Sequence, residues 1–270
     1  MKKNLAYLIL TVAAAGLLCS FRPSCTEAGA PEPSGIEGRG IVSEERYPGN
    51  FSALSCSGST PVTYIQSSLF KVVIEGSPEF IDKMYTEVKG GTLHIGMKKG
   101  KYRGLNLRVT VYSPVMNDVH MAGSGSFHDE NGHRASGDVR YSSSGSGGFS
   151  IGRLECASFS THLSGSGSLS IGSLVCSSAD ISTSGSGGMT VRKIFSTGDL
   201  GIRISGSGYG LVDEANVKDV KVRISGSGSV KINGKARDVS ATISGSGSVM
   251  GDLDYRHLDT HTSGSGRVRL

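Results

Sequence analysis

The sequence predicts an all-β fold, a single-stranded parallel β-helix (solenoid) of ~20-residue coils with right-handed winding preferred. Three observations carry this. Gly-Ser-Gly triplets begin at Gly123, Gly145, Gly165, Gly185, Gly206, Gly226, Gly245 and Gly264, at intervals of 22, 20, 20, 21, 20, 19 and 19 residues. Positions two, four and six before each triplet, and four and six after it, are mostly apolar or small, and the positions between them are mostly polar. Such alternation marks a strand with one buried face. A single repeat cannot bury that face alone, so successive coils must stack with parallel pairing.

Residues 1–30 read as a signal peptide. Lys2 and Lys3 give a basic start, Leu5 to Cys19 is a mostly apolar run of 15 residues, and Ala28-Gly29-Ala30 offers a small-x-small cleavage site. The run is short for a membrane span, and no later stretch approaches ~20 apolar residues. Acylation is not favoured: Cys19 follows Leu17-Leu18, and Cys25 lies beyond Arg22. Export to the cell surface, outer membrane or periplasm is expected. Residues 31–44, with Pro31, Pro33, Gly35, Gly38 and Gly40, read as a linker.

Residues 45–270 read as the solenoid domain. Within it, 45–120 are irregular N-terminal coils. Gly58-Ser59 lies 65 residues before Gly123, about three periods, and strand-like runs fall at Val72–Ile74, Thr92–Ile95 and Leu105–Val111. Pro78 to Lys83 suits a short helix or loop. Residues 121–270 are the regular ladder. Each coil is a strand, a Ser-Gly-Ser-Gly passage, a second strand and a variable corner that absorbs the one-residue changes in period. The passage keeps parity, so its glycines are expected inward and its serines outward. A period near 20 is not a multiple of six, which disfavours the left-handed hexapeptide helix.

The formal charge is +5, and removal of residues 1–30 leaves about +3, with no Lys/Arg block. Nothing here points to nucleic acid. Cofactor motifs are lacking. Calcium rolls need recurring acids after the glycine turn, and Asp129, Asp213 and Asp252 do not recur. His257 and His261 are four apart, but on a strand they would not converge on a metal. Short corners leave no room for the cleft of a polysaccharide-active enzyme.

With these residues in place, the chain resembles the bacterial family called putative auto-transporter adhesin, head GIN domain. The resemblance rests on Asn50-Phe51-Ser52-Ala53-Leu54, on Gly90-Gly91-Thr92-Leu93-His94-Ile95, on the strand ending at Ser113-Pro114, and on the ladder that follows. It spans roughly residues 45–270. It implies an all-β solenoid, export and an envelope location, and it carries no catalytic residues to transfer.

The expected function is therefore an exported, non-catalytic, adhesin-like binding protein that presents a repetitive face to a glycan or envelope partner. A structural spacer or self-associating envelope protein is the alternative. The candidate ligand face is the outward column three positions before each triplet. It holds His120, His162, Arg203, Arg223 and His261, a mildly basic line suited to an acidic polymer. A plain solvated strand face is the competing reading. Cys156 and Cys176 share one spacing from Leu154 and Leu174, which places them in adjacent coils within disulfide reach. Two buried thiols would satisfy the same spacing. The last coil is a candidate homo-oligomer contact through its open edge.

Overall fold

This computed structural model describes residues 40–270; the expected leader and residues 31–39 of the expected linker lie outside them. The strands before each triplet belong to an 11-stranded sheet, and those after it belong to a 14-stranded sheet. In the first, Val139–Gly145, Ser158–Gly165, Ser178–Gly185, Asp199–Gly206, Asp219–Gly226 and Asp238–Gly245 pair in parallel without a slip. Gly145 stands beside Gly165, then Gly185, Gly206, Gly226 and Gly245. In the second, Phe149–Glu155, Ser168–Cys176, Gly188–Ser196, Tyr209–Asn216 and Ser229–Lys235 also pair in parallel, with one register shift in the last pair.

The core lies between the sheets. Ile181, Ile202, Val222 and Ala241 from one sheet and Val191, Val212, Ile232 and Val249 from the other are all fully buried. Their β-branched majority suits a pleated surface that is buried on one side. Where the period falls from 20 to 19, the register shifts between Val212 and Ala215. That odd residue is taken up by a bulge inside the strand pair, whereas the change from 20 to 21 falls at the corner between Ser196 and Asp199, as the sequence suggested.

The glycines of the triplets divide into two kinds. The second of each, such as Gly187 and Gly208, is buried as expected, except Gly266 in the last coil, which is half-buried. The first is not inward: Gly185 and Gly206 are half-buried and Gly165 is exposed. These first glycines turn the chain at φ between +97° and +133°. A Cβ on Gly206 would lie 2.5 Å from the carbonyl oxygen of Gly185 in the preceding coil. That oxygen accepts the main-chain N–H of Ser207 at 3.0 Å, and the bond recurs at 3.0 Å from Ser146 to Ser246. Backbone thus meets backbone at every corner, in a conformation that L side chains rarely adopt.

Residues 45–120 hold one coil and an irregular cap, and Gly58 lies one coil from Gly123 where its spacing suggested about three periods. Ala53–Gly58 pairs directly with Asp118–Gly123, so Gly58 stacks on Gly123 itself. Val62–Gln66 continues that coil and pairs with Phe127–Asp129. The chain between builds the cap. Arg108–Ser113 extends the larger sheet in parallel, and Lys71–Gly76 and Val42–Arg46 then add antiparallel strands. The strand at Val42 takes in the last residues of the expected linker. Thr92–Met97 and the antiparallel Met84–Lys89 end the smaller sheet, with the short helix Pro78–Ile81 between. Arg46 ties the two sheets of the cap. Its guanidinium donates to the carbonyls of Met84 at 2.7 Å and Ile81 at 3.0 Å, and pairs with Glu44 at 2.7 Å.

A buried polar cluster fastens the cap to the ladder. His133 Nδ1 lies 2.6 Å from Asp129 Oδ2, and neither side chain is exposed. His133 Nε2 faces the Met116 carbonyl at 3.2 Å and the Tyr141 hydroxyl at 3.4 Å. Tyr64 sets its ring edge-on to the imidazole at 5.2 Å and donates its hydroxyl to the Ser113 carbonyl at 3.0 Å.

Gly206→Val is expected to lower the urea unfolding free energy by about 3 kcal/mol or more, from the positive φ and the crowded carbonyl together. An unchanged midpoint would contradict the close approach. Asp129→Ala leaves His133 buried without its partner and should cost about 3–5 kcal/mol in the same experiment. A loss below about 1 kcal/mol, the scale of an exposed pair, would mean that the pair is not what holds the cap.

Candidate functional site

Parallel stacking at about 4.8 Å turns each outward sequence position into a straight column. The expected column is continuous in the 11-stranded sheet. It runs His120, Ser142, His162, Ser182, Arg203, Arg223, Thr242, His261, each beside the next. Ser55 and His94 extend it on the cap side, which the sequence period did not reveal. The column spans roughly 34 Å from His120 to His261.

Its members differ in what they touch. His120 Nδ1 meets Ser142 Oγ at 2.9 Å. His162 is engaged at both nitrogens, with Ser182 Oγ and Ser164 Oγ each at 3.0 Å. The Ser164–His162 contact resembles part of a hydrolase dyad. Its third member, however, is a hydroxyl where a carboxylate would be needed to orient the imidazole. Arg203 is ion-paired with Asp180 of the preceding coil. Arg223 has neither hydrogen bond nor ion pair among the described residues. His261 lies beside Thr242 on the wholly exposed strand His257–Ser263.

Arg203 and Arg223 border a shallow groove of about 270 Å³ on this face. Its floor is low because Ser160, Ser178 and Gly201 stand where neighbouring coils carry longer side chains. Lys221 completes the cationic side and pairs with Asp199 at 2.5 Å. The Asp199 carboxylate holds the Lys221 ammonium above the usual lysine range, while burial and the nearby Arg223 oppose it.

An acidic column runs parallel to the basic one. Asp199, Asp219 and Asp238 stand side by side in successive coils. Arg237 bridges the last two at 3.0 and 2.9 Å. The line recurs seven positions before Gly206, Gly226 and Gly245, one position beyond the apolar columns, and is legible in the sequence. Arg203, Lys221 and Arg237 are thus taken up by acids, and Arg223 has no ion pair among the described residues.

Cys156 and Cys176 lie in adjacent coils and are free thiols. Burial pushes Cys156 up to about 12, with a smaller contribution from Cys176, and pushes Cys56 to about 12 as well. Burial likewise raises Tyr64 to about 12 against the lowering bond to Ser113. Among the described residues there is no cluster of three metal-ligating side chains, and no helix is long and apolar enough to cross a membrane.

Stacked short coils and a glycine corner define a β-solenoid protein. A crystal structure of a putative adhesin from Parabacteroides merdae matches with a TM-score of 0.77 at 18% identity, over 87% of this chain and 97% of that one. A putative adhesin from Parabacteroides distasonis gives 0.77 at 16% identity, over 86% and 97%. A structure named as a putative lipid binding protein, also from Parabacteroides distasonis, gives 0.71 at 20%, over 87% and 98%. At these identities the likeness is one of fold. No curated protein matches the sequence. The chain belongs to the family described as putative auto-transporter adhesin, head GIN domain, which matches residues 50–208 and 175–270.

The raised thiol and phenol values set an alkaline limit. The ordinary values are near 9 for Cys56 and 10 for Tyr64, so the folded chain keeps protons that the unfolded chain releases between there and about pH 12. Stability from these groups is level below pH 9 and falls as pH rises, by up to about 1.4 kcal/mol per pH unit for each group. Urea midpoints at pH 8, 10 and 11 should decline in that order, and Cys56→Ala should flatten the first step. A constant midpoint would contradict the burial of these groups.

Proposed function

We propose that the chain is an exported, non-catalytic binding protein of the cell envelope or surface, and that the outer face of its 11-stranded sheet engages an anionic glycan or similar envelope polymer. The observation that carries this reading is Arg223. A guanidinium without a partner, beside Arg203 and Lys221 on the rim of a shallow groove, is suited to a carboxylate, sulfate or phosphate group. The neighbouring ion pairs are about half exposed, with Arg203 at 50% and Asp180 at 46%. Such pairs contribute only about 0–1 kcal/mol, so a ligand can exchange for them at little cost. The repeat adds a second advantage. A polymer with regularly spaced charges meets equivalent positions at every coil, and weak contacts then act together. The family's description as an adhesin supports binding in general and leaves the partner open.

A second reading is self-association. It is favoured by the strand His257–Ser263, exposed along its whole length. Leu258 is 38% exposed, whereas Val239, Val220 and Leu200 in the same column are buried. Growth in mass with concentration in light scattering would support it.

The test is binding of residues 31–270 to immobilised polygalacturonate, with its methyl ester as the neutral control, at low and high salt. Arg223→Ala should weaken binding about ten-fold, as loss of one charge-assisted hydrogen bond would. Asp180→Ala frees Arg203 and should strengthen it. High salt should weaken the wild type. Failure to bind any acidic polymer, or no effect of Arg223→Ala, would move the function to the self-associating reading.

A further inference from the structure

The two outer faces differ in chemistry. The ladder's outward-facing large apolar side chains with substantial exposure, Phe195, Tyr209 and Met250, all belong to the 14-stranded sheet. Tyr209 is the one with a constructed surrounding. It stands three positions after its triplet, in a column that otherwise holds serine or glycine from Ser126 to Ser248. The preceding coil places Gly188 beside it. The distal ring edge of Tyr209, with Cε1, Cζ and Oη, occupies the space that a Cβ on Gly188 would need. The ring therefore leans over the neighbouring coil and does not stand off the sheet. Tyr209 remains 52% exposed, so solvent reaches the ring away from Gly188.

Polar groups surround this ring. Ser229 is its neighbour in the next coil, and Leu211 follows two residues on, on the same face. Thr190 and Lys231 flank Leu211 in the adjacent coils. Lys231 is exposed and has no hydrogen bond or ion pair among the described residues. A flat apolar surface rimmed by hydroxyls and an ammonium matches a pyranose ring, whose C–H face is apolar and whose edge is lined with hydroxyls. A lipid chain would want a groove and a wider apolar area than one ring and one leucine.

We propose that Tyr209, laid over Gly188, is a stacking platform for a pyranose unit of a saccharide ligand, with Thr190, Ser229 and Lys231 as its hydrogen-bonding rim. This deepens the glycan reading and rests on it only in taking the ligand to be a saccharide. Arg203 and Tyr209 belong to one coil, on either side of the Gly206-Ser207-Gly208 corner.

The test is affinity electrophoresis of residues 31–270 through gels containing dextran, laminarin, xylan or polygalacturonate. Wild type, Tyr209→Ala, Tyr209→Phe, Gly188→Ala and Arg223→Ala are compared, with melting temperatures as the check on folding. On any polysaccharide that retards the wild type, Tyr209→Ala should lose about ten-fold in affinity and Tyr209→Phe should keep most of it. Gly188→Ala leaves the ring in place but pushes it off the sheet, and should weaken binding as well. Loss with Tyr209→Ala but not with Arg223→Ala would support the platform and remove the anion reading. Loss with Arg223→Ala alone would overturn the platform and leave the anion reading standing. Retardation of the wild type by none of the four polymers would overturn both.

Discussion

The constraint on which this structure depends is the meeting of backbone with backbone at the Gly-Ser-Gly corner. A carbonyl oxygen from one coil receives an N–H from the next, and at Gly206 a Cβ would lie 2.5 Å from that oxygen. The first glycine is needed for its positive φ and for this approach. The second is needed for approach alone: a Cβ on Gly208 would lie 2.5 Å from the Gly187 carbonyl. Because both glycines recur, each corner stacks on the last with little drift, and the strands on either side inherit a common register. The long ladders of Ile, Val and Leu in the core follow from that register.

A stack of equivalent coils has no intrinsic end, so an end must be constructed. At the N-terminal side the sheets change from parallel to antiparallel pairing, and Arg46 joins them through main-chain carbonyls. The Asp129–His133 pair sits where this cap meets the first regular coils, among Tyr64, Tyr141 and the Met116 carbonyl. A buried, hydrogen-bonded polar pair of this kind constrains packing geometry, because each partner must find the other. Here the specific task is to fix a non-repeating element against a repeating one, where apolar contacts alone would tolerate several placements.

The outer surface is governed by the same geometry with the opposite freedom. Corner and core positions are fixed by sterics, whereas the outward columns need only stay polar. Any residue type repeated in the sequence becomes a line on the surface. The Asp199, Asp219 and Asp238 line and the Arg203 and Arg223 line arise this way, and all of these charges but Arg223 are paired with side chains from other columns, Lys221, Arg237 and Asp180. Binding chemistry then resides in the exceptions: a cation without an acid at Arg223 and a ring in place of a serine at Tyr209.

Much of this was legible in the sequence, because a period of about 20 residues and a parity of two are local properties that stacking only repeats. The strand pairs, the core columns, the adjacency of Cys156 and Cys176 and the continuity of His120 through His261 all follow from counting. The sequence could not show that Gly58 stacks on Gly123, since an inserted cap and two further coils occupy the same number of residues. Nor could it show that the first glycine of each triplet turns at the surface, or that Asp180 occupies Arg203 while Arg223 stays unpaired. Those facts were decided by tertiary structure, because they depend on which coil neighbours which and on the direction each side chain takes once its coil is stacked. The sequence by itself determined the repeat and its two faces; tertiary contact decided where the repeat is interrupted and which outward groups are left without partners.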